Sequence, residues 1–281
     1  MRSPSADGLD DGPDPTPRRF TAVVLAADRT ASDPVAQAAG VPCKALAPVG
    51  GIPMVIRVLD ALGASHEVGS RIVCGPPPAA LARADSLRHL IASGDVAWVE
   101  NRSSPSASAS EAMATVPAAA PMLVTTADHA LLTPAIVDYF CVAARARSGD
   151  VAVAVAPYEA VATAYPGMRR TAVRLRDGAY CGCNLFAFST SRGRAAAAFW
   201  RTVEHERKRP WRLMSALGWS TVARYSLGLL SLEEALGRVS RRLGLGIDAI
   251  VLPFPQAAVD VDSVDDWRRV CELAEASDAR R

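Results

Sequence analysis

The chain has 281 residues, half of them hydrophobic, with a formal net charge of +2. That length and apolar content suit one large α/β domain with a sizeable buried core. The near-neutral balance carries no nucleic-acid-binding footprint, and no uninterrupted apolar run is long enough for a confident membrane span.

Residues 1–19 are rich in Pro, Asp, Gly and Ser and have no apolar core region. They read as a disordered leader, not a signal peptide. Residues 20–281 read as a single domain. Phe20 to Ala26 is a short, apolar, β-branched run of the buried parallel-strand type. Runs at 71–75, 96–100, 122–126 and 151–156 are similar. Helical stretches are predicted between them at 53–62, 79–91, 108–116 and 134–146, with Pro53 and Pro134 placed as first-turn prolines. This alternation predicts a mostly parallel, doubly wound sheet with helices on both faces. Beyond Tyr158 the pattern changes. Strands are predicted at 171–175 and 181–188 around an Asp177-Gly178 turn. A long helical region follows over about 192–243, then a strand at 249–252 and a helix from Val264 to Ala274.

Six cysteines occur: Cys43, Cys74, Cys141, Cys181, Cys183 and Cys271. None forms a C-x-x-C pair, and several sit in apolar runs as small hydrophobes. The expectation is a reducing, cytoplasmic compartment without a disulfide framework.

In sheets of this kind ligands sit beyond the carboxyl ends of the strands, so candidate site residues should follow strands. Three groups do. The first is the loop Ala26-Ala27-Asp28-Arg29, leading on to Lys44. A triphosphate needs backbone N–H groups and cations around it; Lys44 offers a point charge and Arg29 a forked one. As isolated residues they read equally as solvated charges. The second is Asp128, at the end of an apolar strand, which reads either as a presented carboxylate or as a turn residue. His129 beside it reads as a turn or packing residue. The third is Asp260 with Asp262, which alternation places on one side of an extended segment. Asp262 or Ser263 also suits a helix N-cap, with Ser263 and Asp266 at capping-box spacing.

The segments Pro42-Cys43-Lys44-Ala45-Leu46 and Gly51-Ile52-Pro53-Met54, downstream of Leu25-Ala26-Ala27, resemble the P-K-x-L and G-x-P-M motifs of the MobA-like nucleotidyltransferases. The resemblance covers residues 20–140 well and the last strand and helix loosely. It implies a GT-A type fold and metal-dependent transfer of a nucleoside monophosphate from a triphosphate, with pyrophosphate leaving. It further implies nucleotide binding by Ala26, Ala27, Asp28, Lys44 and Ser108, with Lys44, Arg29 and Asp128 catalytic. Asp128 and Asp262 would hold Mg²⁺ (or Mn²⁺), a hard ion that takes one or two carboxylates plus substrate phosphates. Gly182 and Asn184 would meet the acceptor, a small or lipid-linked phosphorylated molecule. For that Cys181–Phe186 stretch a bulged strand is the alternative, and Ser108 or Ser110 alternatively caps a helix. The sequence departs from the family at Asp28, where glycine is usual, and in its longer loop, without G-x-G, before Lys44. Two rival readings follow: a GT-A glycosyltransferase using a nucleotide-sugar, and a degenerate nucleotide-binding member without turnover.

Residues 192–246 carry eleven basic against four glutamate side chains, interleaved with Trp200, Trp211, Trp219 and Tyr225. This basic helical insert, assigned to 190–246, reads in two ways. It is a subdomain that packs on the sheet or forms a dimer, or its 200–230 part is a peripheral contact with the inner face of a membrane.

Overall fold

The computed structural model of the chain describes residues 18–28, 32–102, 104–194 and 219–278. Most of the leader, Arg29 and the segment 195–218 of the basic insert lie outside those residues, so the expectations attached to them are not carried further.

The centre of the molecule is β1 (Phe20–Leu25), paired in parallel with β4 (Val68–Cys74) on one side and β6 (Met122–Thr126) on the other. Period-two alternation sends its side chains to two separate cores. Ala22 and Val24 pack in one cluster with Val58 and Leu59 of α2 (Met54–Gly63) and Ile136 and Phe140 of α6 (Pro134–Arg145). Val23 faces the other way, toward Ala112 and Met113 of α5 (Pro105–Ala114). A strand apolar on both faces needs a helix on each, which is the physical basis of the two-sided architecture.

Among the described residues the sheet has eight strands. Its main path runs β10 (Ile247–Val251), β7 (Val151–Pro157), β9 (Gly178–Phe188), β6, β1, β4 and β5 (Ala97–Val99); β8 (Ala172–Leu175) pairs with β9. The sheet is thus mixed and mostly parallel. The long β9 runs antiparallel between β6 and β7, a placement the sequence reading did not foresee. Buried Cys183, Leu185 and Ala187 match its alternation with the core. A short antiparallel pair, β2 (Pro48–Val49) and β3 (Ile52–Pro53), leads into α2. Two further short helices, α1 (Pro34–Ala39) and α7 (Tyr158–Ala164), flank the carboxyl edge.

Two predicted helices are broken. The 79–91 stretch divides into α3 (Pro78–Leu81) and α4 (Asp85–Ala92), with Ala84 out of helical conformation. The described end of the long basic region divides into α8 (Trp219–Ser226) and α9 (Leu232–Leu243). Gly228 at φ 66° turns the chain between them. Ser231 and Glu234 then form a reciprocal capping box that starts α9 afresh. The last helix is α10 (Val264–Asp278). No helix among the described residues is long and apolar enough to cross a membrane.

A knot of polar contacts holds the start of β7. The Asp150 carboxylate accepts from the Thr190 hydroxyl at 2.6 Å and the Gly246 N–H at 2.9 Å. The Thr190 hydrogen bond, aided by Gly246, keeps its pKa below the ordinary carboxylate range. A group depressed in the folded state stabilises above its unfolded pKa and loses that contribution as pH falls through the folded value. The acid limb of wild-type stability, followed by urea unfolding below pH 4 (the ordinary carboxylate range), is therefore expected to be steeper than that of Asp150→Asn. Gly193 lies against the same knot: a Cβ there would clash with the Asp150 carbonyl oxygen. Gly193→Ala is expected to cost about 1–3 kcal/mol through this overpacking, read as a lower urea midpoint at unchanged slope.

Candidate functional site at the carboxyl edge of the sheet

Four chain segments far apart in sequence meet beyond the carboxyl ends of β1 and β6. They line a cavity of about 300 Å³ whose walls include Ala26, Ala27, Asp28, Asp33, Lys44, Asp128, Asn184, Asp260 and Asp262. A larger depression of about 630 Å³ lies at the opposite ends of β1 and β4, beside Arg19 and Arg71. The Arg71 guanidinium there is spent on the Leu59 carbonyl, and the carboxylates that follow β1 and β6 are remote. Chemistry, not size, picks out the carboxyl-edge cavity.

Lys44 opens a 3₁₀ turn (Lys44–Leu46) that the preceding residue, Cys43, does not cap with its side chain. Asp28 does so from sixteen residues away. Both of its carboxylate oxygens accept from the Lys44 N–H, at 3.0 and 3.1 Å. Burial raises the Asp28 pKa, and the Lys44 N–H opposes that rise. The Asp28 carboxylate thus serves as a cap on the turn carrying the lysine. Asp33 likewise caps α1, accepting from the Val35 and Ala36 N–H groups. Ala26 donates its N–H to Cys74 in β4. Among the described residues nothing accepts from the Ala27 N–H.

The Lys44 side chain is 18% exposed and the Asp128 side chain 15%. Nζ donates to Asp128 Oδ2 at 2.5 Å and to the Val261 carbonyl at 3.0 Å. Burial alone would lower the Lys44 pKa, but the Asp128 charge and hydrogen bond outweigh it and hold the amine above its usual value. Burial likewise pushes Asp128 up, and Lys44 more than reverses it, leaving the carboxyl below its usual range. Asp128 Oδ1 is buried without a hydrogen-bond partner among the described residues. His129 is fully buried, and burial takes its pKa down to about 4. It is a neutral packing residue.

The 259–262 segment is anchored from below and from the side. Val259 and Val261 pack with Val35, Val49, Met54 and Val270, and the Val261 N–H donates to the Asp128 carbonyl at 3.1 Å. Asp260 and Asp262 both reach the cavity but differ in engagement. Buried Arg170 pairs with the Asp260 carboxylate and donates to its carbonyl at 2.6 Å. Asn184 Nδ2 donates to the same carboxylate at 2.9 Å. Burial and the neighbouring Asp262 charge raise the Asp260 pKa to about 6, against the pull of Arg170. Asp262 is exposed and has no hydrogen-bond or ion-pair partner among the described residues. The helix cap falls to Ser263, whose hydroxyl accepts from the Asp266 N–H at 3.2 Å while Asp266 accepts from the Ser263 N–H. Asp262 thus takes no part in capping that helix.

Asn184 sits on a bulge. On β7, Val153 faces Phe186 and Val155 faces Gly182, so three residues of β9 oppose Ala154. Asn184 takes φ 48°, the one non-glycine residue at positive φ among the described residues. Asparagine tolerates that conformation, and the bulge re-aims its side chain into the cavity. Gly182 is exposed, with open space where a Cβ would be, and does not line the cavity. Nor does Ser108. It is buried in α5, and its hydroxyl accepts from the Arg102 N–H at 2.9 Å, holding the loop after β5. Ser104, not Ser108 or Ser110, caps α5. Arg170 is the site residue the sequence reading missed. It lies in irregular chain between α7 and β8, where no local pattern marks it.

The site as built is a lysine-centred acidic pocket at the carboxyl edge of a mostly parallel α/β sheet, the setting in which such sheets bind their ligands. A family model for the MobA-like NTP transferase domain matches residues 22–241, and the chain belongs to that family. Asp260 and Asp262 lie beyond the matched stretch. A solved structure described as a hypothetical transferase from Thermus thermophilus is 33% identical, covering 89% of this chain and 99% of that one, with a TM-score of 0.74. Two more distant structures share the fold. One is CMP:2-keto-3-deoxy-manno-octonic acid synthetase complexed with CTP, at 15% identity, 92% and 99% coverage and TM-score 0.56. The other is 4-diphosphocytidyl-2C-methyl-D-erythritol synthase from Anaerococcus prevotii, at 10% identity, 92% and 96% coverage and TM-score 0.54. No curated protein matches the chain significantly.

Asp28→Ala would strip the cap from the Lys44 turn and leave a part-buried N–H without its acceptor, an expected loss of about 1–3 kcal/mol. Asp28→Asn keeps one oxygen acceptor and is expected to lose less. Urea unfolding of the two variants beside wild type checks the order.

Proposed function

We propose that the chain transfers a nucleoside monophosphate from a nucleoside triphosphate to a phosphorylated acceptor, releasing pyrophosphate, with a divalent ion bound at Asp128 and Asp262. The observation that carries this reading is the convergence of Lys44, Asp128 and Asp262 on one cavity from three separate segments, in a member of the MobA-like NTP transferase family.

The residues suit a hard ion. The Asp128 carboxylate lines the cavity with its Oδ2 held, among the described residues, only by the Lys44 ammonium, and Asp262 has no hydrogen-bond or ion-pair partner among those residues. Among the described residues no three His, Cys, Asp or Glu side chains form a ready-made cage. Mg²⁺ typically binds through one or two carboxylates and completes its shell with phosphate oxygens and water. Such an ion, once bound, would neutralise charge on the α-phosphate and leaving group and align them with the acceptor.

The chain's own residues do the rest by position and charge, as phosphoryl chemistry generally requires. Lys44 offers an ammonium to the phosphates and stabilises the charge that builds on them. Asp28 holds the lysine turn in place through its N–H. The Ala27 N–H, which has no acceptor among the described residues, presents a donor at the end of β1. Asn184, with Nδ2 committed to Asp260, turns its amide oxygen to whatever donor the acceptor brings. Asp260, neutralised by Arg170, keeps a second carboxylate near the acceptor without a full repulsive charge.

The test is a thermal-shift series with CTP, GTP, ATP and UTP, each with and without Mg²⁺, on wild type and Asp128→Ala. A ligand that binds only the folded state raises its stability by mass action. The expected result is a rise in melting temperature for one triphosphate that needs Mg²⁺ and vanishes in Asp128→Ala. Absence of any shift in folded wild-type protein would overturn the proposal.

A further inference from the structure

Lys44 stands apart in this chain. Lys208 excepted, it is the only lysine; arginine supplies the rest of the 31 basic side chains. Where arginine is used almost throughout, a retained lysine marks a place whose chemistry wants a compact point charge in place of a fork. Its ammonium occupies a particular spot: 2.5 Å from Asp128 Oδ2 and 3.0 Å from the Val261 carbonyl, with the Asp262 charge close enough to bear on it. Those are a carboxylate, a backbone carbonyl and a second carboxylate, all oxygens, around one cation. That is the surrounding a divalent ion seeks.

We propose that the Lys44 ammonium is a resident stand-in for the divalent ion, holding Asp128 until the ion takes that carboxylate and releases the lysine to the phosphates. The inference rests on the reading of Asp128 as a metal ligand. An ion bound to a carboxylate oxygen sits about 2.0–2.1 Å from it, and an ammonium donating to that same oxygen leaves no room for it. Two cations in contact in a part-buried pocket repel each other. Occupancy of Asp128 Oδ2 is therefore exclusive.

The exclusivity has a use. Without metal, the lysine is committed to Asp128, and the cavity wall presents Asp28, Asp33 and Asp262 to an incoming anion. A bare triphosphate meets repulsion and no available lysine. When the ion binds Asp128, the pocket gains the ion and the freed ammonium together, so both charges a triphosphate needs become available in one step. The site thus selects the metal–triphosphate complex over the free nucleotide. An arginine here would grip the carboxylate bidentately and yield it far less readily.

Two measurements test this, neither needing turnover. With only two lysines, protein labelled with ¹³Cε-lysine gives two side-chain signals, and Lys208→Arg assigns them. Titration of wild type with Mg²⁺ alone is expected to shift the Lys44 signal. In parallel, Mn²⁺ binding without nucleotide, followed by electron paramagnetic resonance, is expected to be ~10-fold tighter in Lys44→Met than in wild type, as removal of a part-buried ionic competitor implies. The gain should disappear in Lys44→Met/Asp128→Asn. If Mn²⁺ binds wild type through Asp128 while the Lys44 signal stays in place, or if Lys44→Met binds Mn²⁺ no tighter, the stand-in role is overturned and the metal site survives. If no variant binds Mn²⁺, alone or with CTP, the metal site and the stand-in fall together.

Discussion

The buried contact between Lys44 and Asp128 is the joint on which the carboxyl edge of this protein is built. One lysine touches three loops. Its backbone N–H is held by the loop after β1, its ammonium by the loop after β6, and the same ammonium reaches the carbonyl of Val261 after β10. Removing one partner of such a pair leaves the other charge buried and uncompensated, which typically costs about 3–5 kcal/mol. Everything else in the cavity is arranged around keeping that charge paired and accessible. The valines of the 259–261 segment pack into a small third core beneath it. The Val261 N–H ties the segment back to Asp128.

Asp28, where the resemblance leads one to expect glycine, has a structural role. A glycine would let the chain turn closely against a phosphate. An aspartate instead spends both oxygens on the N–H of the lysine turn, which has no cap of its own. The added negative charge is thereby partly used up in a hydrogen bond. The tether helps close the long stretch of chain between β1 and Lys44 and return the lysine to the edge.

The pair of aspartates near the carboxyl terminus divides its work through its neighbours. Asp260 is taken by Arg170 and Asn184, and Asp262 is left open because Ser263 and Asp266 cap the last helix between themselves. Arg170, in irregular chain outside every motif of the site, thus decides which carboxylate stays open. The bulge in β9 completes the arrangement by holding Asn184 at positive φ, where its amide meets Asp260.

Local pattern carried much of this into the sequence. Continuous β-branched runs marked β1, β4, β6 and β7, because strands buried on both faces must be apolar throughout. The ends of β6 and of the last strand located Asp128 and the Asp260–Asp262 pair, because side chains after strands reach the carboxyl edge whatever the exact topology. Tertiary structure alone decided the rest. The insertion of β9 between β6 and β7 is a matter of pairing partners, and an alternating strand does not name its partner. Ser108 turned inward because Arg102 offered it an N–H, and Gly182 stayed outside the cavity because the bulge brought Asn184 forward. The cap on Lys44, sixteen residues upstream, and the clamp on Asp260, ninety residues upstream, are contacts between segments that share no periodicity. Hydrogen bonds and ion pairs of this kind depend on where folding brings the loops, and no local spacing encodes that.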